Sequence, residues 1–465
     1  MDLLETNWAN ITLEKLFTHI IGGDWGKDES YEDDDYKMVS CIRGSEFKNW
    51  KNDYGSTAVR RKIKLSSLMS RCLNNNDILL EISGGGPDQP VGRTVLITQS
   101  IINNFPYPAV CTNFLRLMRP VKNISATYLN YYLNKFYLSG EVTNYQGGSN
   151  NLRNLKFKEY SKINIPIPSI NEQKIIAEKL DLLLAQVQET KSRLEQIPEL
   201  LKQFRQSVLS DACFCEFSTN SDKYQFWKKS SLKELTTKIG SGSTPKGGNN
   251  VYKNKGIPLV RSMNIYSNYI KYDDLAYIDD EQAKKLANVE IQPDDILLNI
   301  TGASIGRVNI APQLFVGGRV NQHVSIIRCK KQKLLPKFLQ IYLASPEIQK
   351  WIVKENYGAT RQALTKSMIE RLIISYPSIQ EQNEIVRRVE QLFAYADKIE
   401  QQVNTALEKV NHLPQSILAK AFRGELTAQW RTKNPDLITG ENSAASLLEK
   451  IQVEREQNNK NKKKK

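Results

Sequence analysis

Residues that bind metals or form disulfide frameworks are scarce in this sequence. The chain has six cysteines and three histidines in 465 residues, and only Cys213 and Cys215 lie close together, without a second pair. No zinc-binding spacing and no disulfide scaffold can be recognised, so neither a metal site nor histidine-based catalysis is predicted. The scattered cysteines instead indicate a reducing cytoplasm as the expected location.

Long apolar runs and the common catalytic motifs are also absent from the sequence. It has no stretch of about 18 apolar residues that could cross a membrane, and its first residues lack the layout of a secretory signal. The string at 22–28 has the wrong spacing for a phosphate-binding loop, and dinucleotide-binding, serine-hydrolase and zinc-protease motifs are missing. The sequence therefore favours a non-catalytic protein without a membrane partner.

Positive charge is unevenly distributed along the chain. The net charge is +15; residues 217–371 carry 24 basic and 13 acidic side chains, whereas residues 1–160 carry 19 and 17. The terminal run 462–465 is entirely lysine and is interpreted as a solvated tail. A basic balance of this kind indicates a polyanionic partner such as a nucleic acid.

The chain contains an internal repeat. The segment 166–173 (Pro-Ile-Pro-Ser-Ile-Asn-Glu-Gln) matches 375–382 (Ser-Tyr-Pro-Ser-Ile-Gln-Glu-Gln), and the alignment continues without a gap for more than fifty residues. The stretches before these segments match more weakly, as in 77–82 against 295–300, with loops of different length. The predicted order is therefore globule, helix, globule, helix and tail.

Each repeat includes a long heptad pattern. Apolar residues recur at alternating spacings of four and three over more than four heptads, which is typical of a coiled coil. Pro198 and Pro414 lie inside these segments; because the pattern keeps its phase across Pro198, we predict a kink there rather than a break. Two such helices in one chain are expected to pair with each other. The predicted seam includes Ile176, Leu180, Leu183, Val187, Leu194, Ile385, Val389, Leu392, Ile399 and Val403.

The stretches before the heptads are interpreted as mixed α/β globules. Strand-like runs at 77–82, 295–300 and 323–328 alternate with glycine-rich loops, and 128–137 and 337–353 have helical periodicity. The predicted fold class is α+β, with two mixed α/β globules alternating with two long paired helices. The predicted segments are a globule at 1–163, a helix at 164–217, a globule at 218–371, a helix at 372–426 and a helical C-terminal segment with a basic tail at 427–465.

Three glycine-rich loops occur at comparable places in both globules. They lie at 22–27 and 240–246, at 84–93 and 301–307, and at 147–153 and 358–362. Glycine lets a backbone approach phosphates closely, and Arg, Asn and Gln can make the paired hydrogen bonds that distinguish base pairs. The candidate DNA-binding residues are Lys27, Arg43, Arg93, Asn150, Arg153, Lys246, Arg261, Thr301, Arg307, Gln322, Arg361 and Gln362.

Three long blocks of the sequence match a known family. The blocks are 165–181, 384–397 and 415–431, the last reading Gln-Ser-Ile-Leu-Ala-Lys-Ala-Phe-Arg-Gly-Glu-Leu-Thr-Ala-Gln-Trp-Arg. With them, nearly the whole chain resembles the specificity subunit of type I restriction-modification systems, closest to the type IA (K-type) group. The resemblance implies two target recognition domains, each reading one half of a split, asymmetric sequence in double-stranded DNA.

The resemblance also implies what the other segments do. The helices would be conserved spacers that pack antiparallel, set the gap between half-sites and dock two modification subunits, in a bacterial cytoplasm. Those subunits would bind S-adenosylmethionine and methylate adenine, and restriction subunits would add cleavage that depends on ATP and Mg²⁺. No cofactor is expected on this chain. The stretch 446–451 would be helical and pack near the N-terminus.

Two other interpretations remain open from the sequence. A structural adaptor could use the helices as a scaffold and the globules to bind proteins. A stand-alone nucleic-acid enzyme could carry an active site that motif searches do not recognise. DNA binding that weakens steeply with salt favours the DNA reader over the adaptor, and methylation by the purified chain alone would favour the enzyme.

Overall fold

The chain divides into two compact units, one of residues 1–193 with 407–465 and one of residues 194–406. The computed structural model describes residues 6–86, 89–148, 152–214, 227–245, 252–355 and 363–463, with side chains up to residue 458. Each unit combines one α/β globule with parts of two long helices.

The first globule is built mainly from short strands, with short helices between them. Its strands are β1 (Ala9–Thr12), β2 (Phe17–Gly22), β3 (Tyr36–Ile42), β4 (Val59–Lys64), β5 (Ile78–Glu81), β6 (Ser83–Gly85), β7 (Thr94–Leu96), β8 (Ala109–Cys111), β9 (Leu115–Pro120), β10 (Gln146–Gly147), β11 (Arg153–Leu155) and β12 (Asn164–Ile167). Its helices are α1 (Trp50–Asp53), α2 (Leu65–Arg71), α3 (Gln99–Asn103), α4 (Ala126–Leu138) and α5 (Phe157–Tyr160), and the first long helix, α6 (Ile170–Phe214), follows.

The second globule repeats this plan. Its strands are β13 (Lys228–Ser231), β14 (Thr236–Ser241), β15 (Ile257–Val260), β16 (Ala276–Ile278), β17 (Ile296–Asn299), β18 (Val308–Ile310), β19 (Arg319–Val320), β20 (Val324–Cys329) and β21 (Ile373–Tyr376). Its helices are α7 (Leu232–Leu235), α8 (Asp280–Lys285), α9 (Pro336–Ala344), α10 (Pro346–Glu355) and α11 (Lys366–Arg371). The second long helix, α12 (Ile379–Phe422), is followed by α13 (Ala428–Lys433) and α14 (Ala444–Lys463).

Three sheets have the same strand order in both globules. The four-stranded sheet β2-β9-β5-β7 corresponds to β14-β20-β17-β18, the three-stranded sheet β4-β3-β8 corresponds to β16-β15-β19, and the pair β1-β12 corresponds to β13-β21. In the three-stranded sheets one pairing, β3 with β8 and β15 with β19, is parallel in both globules. The duplication seen in the sequence therefore extends to strand topology, and the predicted strands at 77–82, 295–300 and 323–328 are confirmed.

The strand irregularities are duplicated as well. The pairing of β2 with β9 shifts register between Phe17 and His19, and the pairing of β14 with β20 shifts between Thr236 and Lys238. A bulge bends a strand and increases its twist, so its position shapes the sheet. A bulge at the start of the corresponding strand in both globules indicates that the duplication preserved the backbone geometry, although the side chains differ.

One buried ion pair has the same position in the four-stranded sheet of each globule. Arg119 donates to Asp77 at 2.8 Å, and Arg328 donates to Asp295 at 2.7 Å. Both aspartates are fully buried, and each also accepts a backbone N–H three residues before it. Since a buried carboxylate needs such partners, we interpret the two pairs as part of the framework and not as DNA contacts.

One predicted helix is divided in the structure. The periodicity over 337–353 predicts a single helix, but the chain forms α9 and α10 with Ser345 between them. Pro346 is the cause, because proline disfavours helical conformation in the preceding residue and has no N–H to donate. In contrast, α6 continues through Pro198 and α12 through Pro414, so the expectation that Pro198 does not end its helix is confirmed.

The two long helices run antiparallel within each unit. In the first unit the start of α6 packs against the end of α12, with Ile176 and Leu180 in the same buried cluster as Leu418 and Ala421. In the second unit the end of α6 packs against the start of α12, where Val208 shares a cluster with Ile385 and Val389. The predicted pairing and α+β fold class are confirmed.

The remaining predicted seam residues are partly or fully shielded. Val403 is buried, and Leu183, Val187, Leu194, Leu392 and Ile399 are half-buried. Three further positions of the heptad pattern, Thr190 and Phe204 in α6 and Leu413 in α12, are exposed. The α6 seam is therefore buried most completely at its ends, where the globule cores contribute to the packing.

The beginning of each long helix is anchored to its globule by a Glu-Gln pair. The Gln173 side chain accepts from Ser125 N and donates to Pro168 O, and Gln382 does the same with Leu335 N and Pro377 O. The preceding glutamates accept from tryptophan Nε1 atoms, Trp8 to Glu172 at 3.0 Å and Trp227 to Glu381 at 3.4 Å. These contacts explain why the Glu-Gln motif appears in both repeats.

The C-terminal helix α14 packs onto the first globule. Leu447 and Ile451 belong to the buried cluster that contains Leu13 and Leu16, near the beginning of the chain. Glu454 accepts a hydrogen bond from Lys122 N at 3.0 Å. Residues far apart in the sequence therefore complete one core in the first unit.

Candidate nucleic-acid interface

Four loops meet in the second globule. They follow β14, β15 and β17 and precede β20. Gly242 N donates to Asn321 O at 3.1 Å, Asn321 N donates to Val260 O at 3.1 Å, and Asn299 Nδ2 donates to Ser262 O at 2.8 Å. The loops therefore form one cross-linked surface, although they come from separate parts of the sequence.

A chain of polar side chains crosses this surface. The hydroxyl of Thr244 donates to Gln322 Oε1, Gln322 Nε2 lies 3.0 Å from His323 Nε2, and His323 Nδ1 shares a hydrogen bond with the hydroxyl of Thr301. Gln322 is exposed, and the other members are half-buried. The predicted residues Thr301 and Gln322 are thus brought together, through a histidine that the sequence did not single out.

Two arginines belong to the same group of loops, Arg261 directly after β15 and Arg307 directly before β18. The Arg307 guanidinium stacks on the ring of Tyr266 at 4.2 Å, and Tyr266 stacks in turn on Tyr269, with ring centroids 4.4 Å apart. The Arg261 side chain lies over Tyr252 and donates to the backbone oxygen of Asp274 at 2.5 Å. Aromatic faces hold both cations in fixed positions, which suits them for contacts with an anion.

The first globule has the same four loops with a different chemistry. Thr112 N donates to Ile42 O at 2.9 Å, as Asn321 N does to Val260 O, and Asp24 N donates to Cys111 O at 2.8 Å. Here Arg93 Nη2 donates to Gly44 O at 3.0 Å, which links the loop after β3 to the segment between β6 and β7. The two globules therefore share loop positions but not the groups that connect the loops.

Buried carboxylates hold two of the three predicted arginines of the first globule, Arg43 and Arg93. Arg43 contacts Glu46 at 2.6 Å and Arg93 contacts Glu81 at 2.5 Å. Both glutamates are buried, and burial by itself disfavours a charged guanidinium. Burial is the largest single effect and lowers the pKa of Arg93, but the hydrogen bond to Glu81, the negative charge of Glu81 and a smaller contribution from Tyr137 together outweigh it, so this pKa is raised above its usual value.

A basic and aromatic cluster in the first globule was not predicted from the sequence. Arg61 stacks on the exposed ring of Trp25 at 4.3 Å, and the Lys27 ammonium lies 5.7 Å from the ring of Tyr31. Among these residues only Lys27 was a candidate. The sequence features that could have indicated this cluster are Trp25 and the basic residues at 60–64. In the structure, strand β4 places those basic residues beside the first loop.

The third loop of the first globule is described in part, and that of the second globule, at 358–362, lies outside the described residues. Arg153 lies in β11 and donates to Gly86 O at 2.9 Å, so it joins the second and third loops of the first globule. The candidates Asn150, Lys246, Arg361 and Gln362 lie outside the described residues. All twelve candidate DNA contacts therefore stay predictions, and eight of them have described positions.

Neither a metal cluster nor a membrane helix was found in the described parts of the chain. Groups of three or more His, Cys, Asp or Glu side chains that could hold an ion do not occur among residues 6–86, 89–148, 152–214, 227–245, 252–355 and 363–463. Within the same ranges, no helix combines the length and apolar character needed to cross a bilayer.

The fold and the loop surfaces define a class of protein: a duplicated α/β protein with a long antiparallel helix pair and a polar and basic loop surface in each repeat. Residues 5–199 and 224–409 match the family model of the type I restriction modification DNA specificity domain, once in each repeat. The chain belongs to this family of type I restriction-modification specificity subunits. The resemblance predicted from the sequence is confirmed.

Named relatives support the same family over the full length. The chain is 34% identical to the type I restriction enzyme EcoKI specificity subunit of Escherichia coli strain K12, over 97% of this chain and 96% of the relative. It is 36% identical to the StySPI specificity subunit of Salmonella potsdam over the same shares. With the EcoBI specificity subunit of Escherichia coli the identity is 45%, over 63% of this chain and 64% of the relative.

Solved structures support the fold. The HsdS subunit from Thermoanaerobacter tengcongensis matches with a TM-score of 0.60 at 16% identity, covering 90% of this chain and 98% of that chain. A chain from the structure of complex assembly and conformational transition of the type I R-M system matches with a TM-score of 0.61, also at 16% identity. The duplicated architecture is thus shared with proteins of very different sequence.

Proposed function

We propose that this chain reads a bipartite, asymmetric DNA sequence for a type I restriction-modification complex and has no active site of its own. The residues 1–163 and 218–371 would be the two target recognition domains. The observation that supports this is the duplication of one sheet framework with different loop residues in each copy. A shared framework with divergent loops is what two readers of unlike half-sites require.

The loop chemistry supports contact with DNA. Arginine, glutamine, threonine and asparagine side chains converge on one surface in the second globule, and all of them can donate to phosphates or base edges. The net charge of +11 over residues 217–371 would draw this surface to a polyanion. A protein-binding adaptor would not need this excess of cations.

The long helices would serve as the spacer and as the docking surface for partners. Each spans more than forty residues, about 65 Å at the usual rise per residue. Residues 164–217 and 372–426 each carry a net charge near zero, which suits protein docking better than binding to phosphates. Two modification subunits would dock here and bring S-adenosylmethionine, and restriction subunits would bring chemistry that uses ATP and Mg²⁺, all in the bacterial cytoplasm.

Mapping methylated adenines in DNA from cells that express the whole system tests this function. The expected motif has two short defined blocks separated by a gap of constant length. A variant altered only in the loops of the second globule, such as Gln322→Ala, should relax one block and leave the other unchanged. A single contiguous motif, or changes in both blocks, would contradict the assignment of one half-site to each globule.

A second experiment distinguishes the reader from a stand-alone enzyme. The purified chain, with radiolabelled S-adenosylmethionine and the mapped duplex, should transfer no methyl group until the modification subunits are added. Binding of the assembled complex should weaken as salt rises, with a slope that reflects how many phosphates the complex neutralises. Methyl transfer by the chain alone would refute the non-catalytic role, and binding that salt does not change would refute the role of phosphates.

A further inference from the structure

Two arginines occupy equivalent positions in the two globules but have different partners. Arg93 and Arg307 each pair across the four-stranded sheet with the residue that ends β5 or β17, because Glu81 N donates to Arg93 O at 2.9 Å and Asn299 N donates to Arg307 O at 2.8 Å. Arg43 and Arg261 each precede a 3-10 helix after an equivalent strand. The backbones correspond, so the difference lies in the side chains.

In the first globule both arginines are tied to buried glutamates. Glu81 is 2% exposed and accepts from both Nε and Nη2 of Arg93, while Glu46 is 3% exposed and accepts from Nε and Nη2 of Arg43. A buried carboxylate that loses its cation is costly, so these guanidiniums are needed where they are. Arg43 and Arg93 therefore stabilise the loops of the first globule.

In the second globule asparagine replaces both glutamates. Asn264 stands where Glu46 does and keeps its capping role, since its Oδ1 accepts from Arg261 N at 3.0 Å as a Glu46 oxygen accepts from Arg43 N. The substitution thus preserves the backbone hydrogen bond and removes the negative charge. The loop keeps its shape without a carboxylate for Arg261.

Asn299 makes the hydrogen bond between loops that Arg93 makes in the first globule. In the first globule the guanidinium of Arg93 binds the carbonyl of Gly44; in the second the amide of Asn299 binds the equivalent carbonyl of Ser262 at 2.8 Å. The other amide atom, Asn299 Oδ1, has no hydrogen-bond partner among the residues that the structure describes. The link between loops is therefore made without Arg307.

Arg261 and Arg307, unlike Arg328 of the same globule, are consequently without an acidic partner in the described part of the chain. Arg307 lies against Tyr266, and Arg261 lies against Tyr252 and a backbone oxygen. The buried Nε of Arg261 has no acceptor among the described residues. Two uncompensated guanidiniums on one loop surface are groups that a bound anion could satisfy.

We propose that Arg261 and Arg307 contact DNA and determine recognition of the second half-site. They are available for this because Asn264 and Asn299 stand where glutamates bind the equivalent arginines of the first globule. This rests on the proposed function of the chain as a DNA reader. Arg43 and Arg93, although predicted as contacts from the sequence, act in the first globule as positioning residues for its loops. These arginines therefore contribute more to DNA binding in the second globule than in the first.

The test restores the missing carboxylates. Asn264→Glu and Asn299→Glu are made in the full chain, and the complex with its modification subunits is titrated with a duplex carrying the mapped methylation motif over a salt series. Each variant should bind about tenfold more weakly, and the salt slope should fall by about 1 for each phosphate that an arginine no longer neutralises. Asn299→Gln, which adds the same length without charge, is the matched control and should bind within about twofold of wild type.

Direct removal of the arginines covers the case in which a glutamate variant fails to fold. Arg261→Ala and Arg307→Ala should lower DNA affinity about tenfold with unchanged thermal unfolding. Arg43→Ala and Arg93→Ala should lower the unfolding temperature, with little loss of affinity in the protein that remains folded. If Arg261→Ala and Arg307→Ala bind as wild type does, the proposal is refuted.

The controls separate this proposal from the proposed function. If the wild-type complex itself does not bind the mapped duplex in a salt-dependent way, the DNA-reading function is wrong. If wild type binds but Arg93→Ala, measured at a temperature where it is folded, loses as much affinity as Arg307→Ala, the DNA-reading function stands and the different roles assigned to the arginines of the two globules are wrong.

Discussion

Arg431 Nη1 lies 2.6 Å from Oε1 of Glu172, although the two residues are 259 positions apart in the chain. Glu172 is 1% exposed and also accepts from Thr427 at 2.6 Å and from Trp8 at 3.0 Å. One buried carboxylate therefore connects the start of α6, the first globule and the segment after α12 in the first unit.

Replacing Arg431 with alanine should destabilise the first unit. Glu172 would keep two neutral donors but lose its cation, and breaking a buried ion pair in this way typically costs about 3–5 kcal/mol. Hydrogen exchange in peptides from the start of α6 measures the effect. Arg423→Ala, which removes an exposed pair with Glu425, is the matched control and should leave the stability nearly unchanged, because solvent screens an exposed pair. Equal protection in both variants would show that the buried pair is not stabilising.

Leu180 and Leu182 offer a test of the helix packing. Leu180 is fully buried in the cluster with Leu418, whereas Leu182 is 61% exposed one position beyond Asp181. Leu180→Ala should lower the free energy of unfolding by about 2–5 kcal/mol, because it leaves a cavity in the core. Leu182→Ala should change it by less than about 0.5 kcal/mol. Chemical denaturation compares them, and similar midpoints would contradict the seam assigned to α6.

The first loop of each globule depends on a glycine that touches a neighbouring backbone. A Cβ on Gly242 would lie 1.7 Å from Val320 O, and one on Gly23 would lie 2.1 Å from Cys111 O. Gly242→Ala should therefore displace the loop and cost about 1–3 kcal/mol. Gly240→Ala is the control, since its Cβ would meet only the flexible end of Lys238 at 3.7 Å.

The same two variants, Gly242→Ala and Gly240→Ala, should differ in which DNA sequence they recognise. Because Gly242 donates to the loop that carries Gln322, Gly242→Ala should relax recognition in one block of the methylation motif, while Gly240→Ala should leave the motif unchanged. In the first globule, Gly23→Ala and Gly22→Ala form the corresponding pair, as the Cβ of residue 22 would meet open space. A methylation motif that Gly242→Ala leaves unchanged would show that this loop does not take part in DNA recognition.

Buried thiols predict how the chain reacts with alkylating reagents. Burial raises the pKa of Cys41 and of Cys329 to about 12, so at pH 8 roughly one thiol in ten thousand is ionised. Because the thiolate is the reactive form, both residues should react with iodoacetamide roughly a thousandfold more slowly in the folded protein than in urea. Mass spectrometry of each cysteine peptide measures the rates. Fast labelling of folded protein would show that the strands carrying them open readily.

The same shift determines how stability depends on pH. The folded state holds these thiol protons more tightly than the unfolded state, so their contribution is fully present below about pH 8.5 and is lost as the pH rises towards 12. Denaturation midpoints of wild type and Cys41→Ala over this range test the sign. A midpoint that rises with alkaline pH would contradict it.

Periodicity and long matching blocks in the sequence are enough to establish the duplication, the helix pairing and the family. Heptad spacing predicts that the two helices pair, and the positions of the Glu-Gln motifs mark where each helix starts. Strand order, the shared bulges and the division of 337–353 at Pro346 were not predicted, because they depend on contacts between distant segments and on local breaks.

Which arginines are available for DNA is a property of the folded chain. Arg93 and Arg307 look alike in sequence, each following a glycine after an apolar strand, yet one faces a buried glutamate and the other a tyrosine ring. The partner of each comes from a strand or loop that the sequence places 12 to 41 residues away. A cation's role depends on whether a carboxylate lies within hydrogen-bonding distance, and folding alone sets that distance.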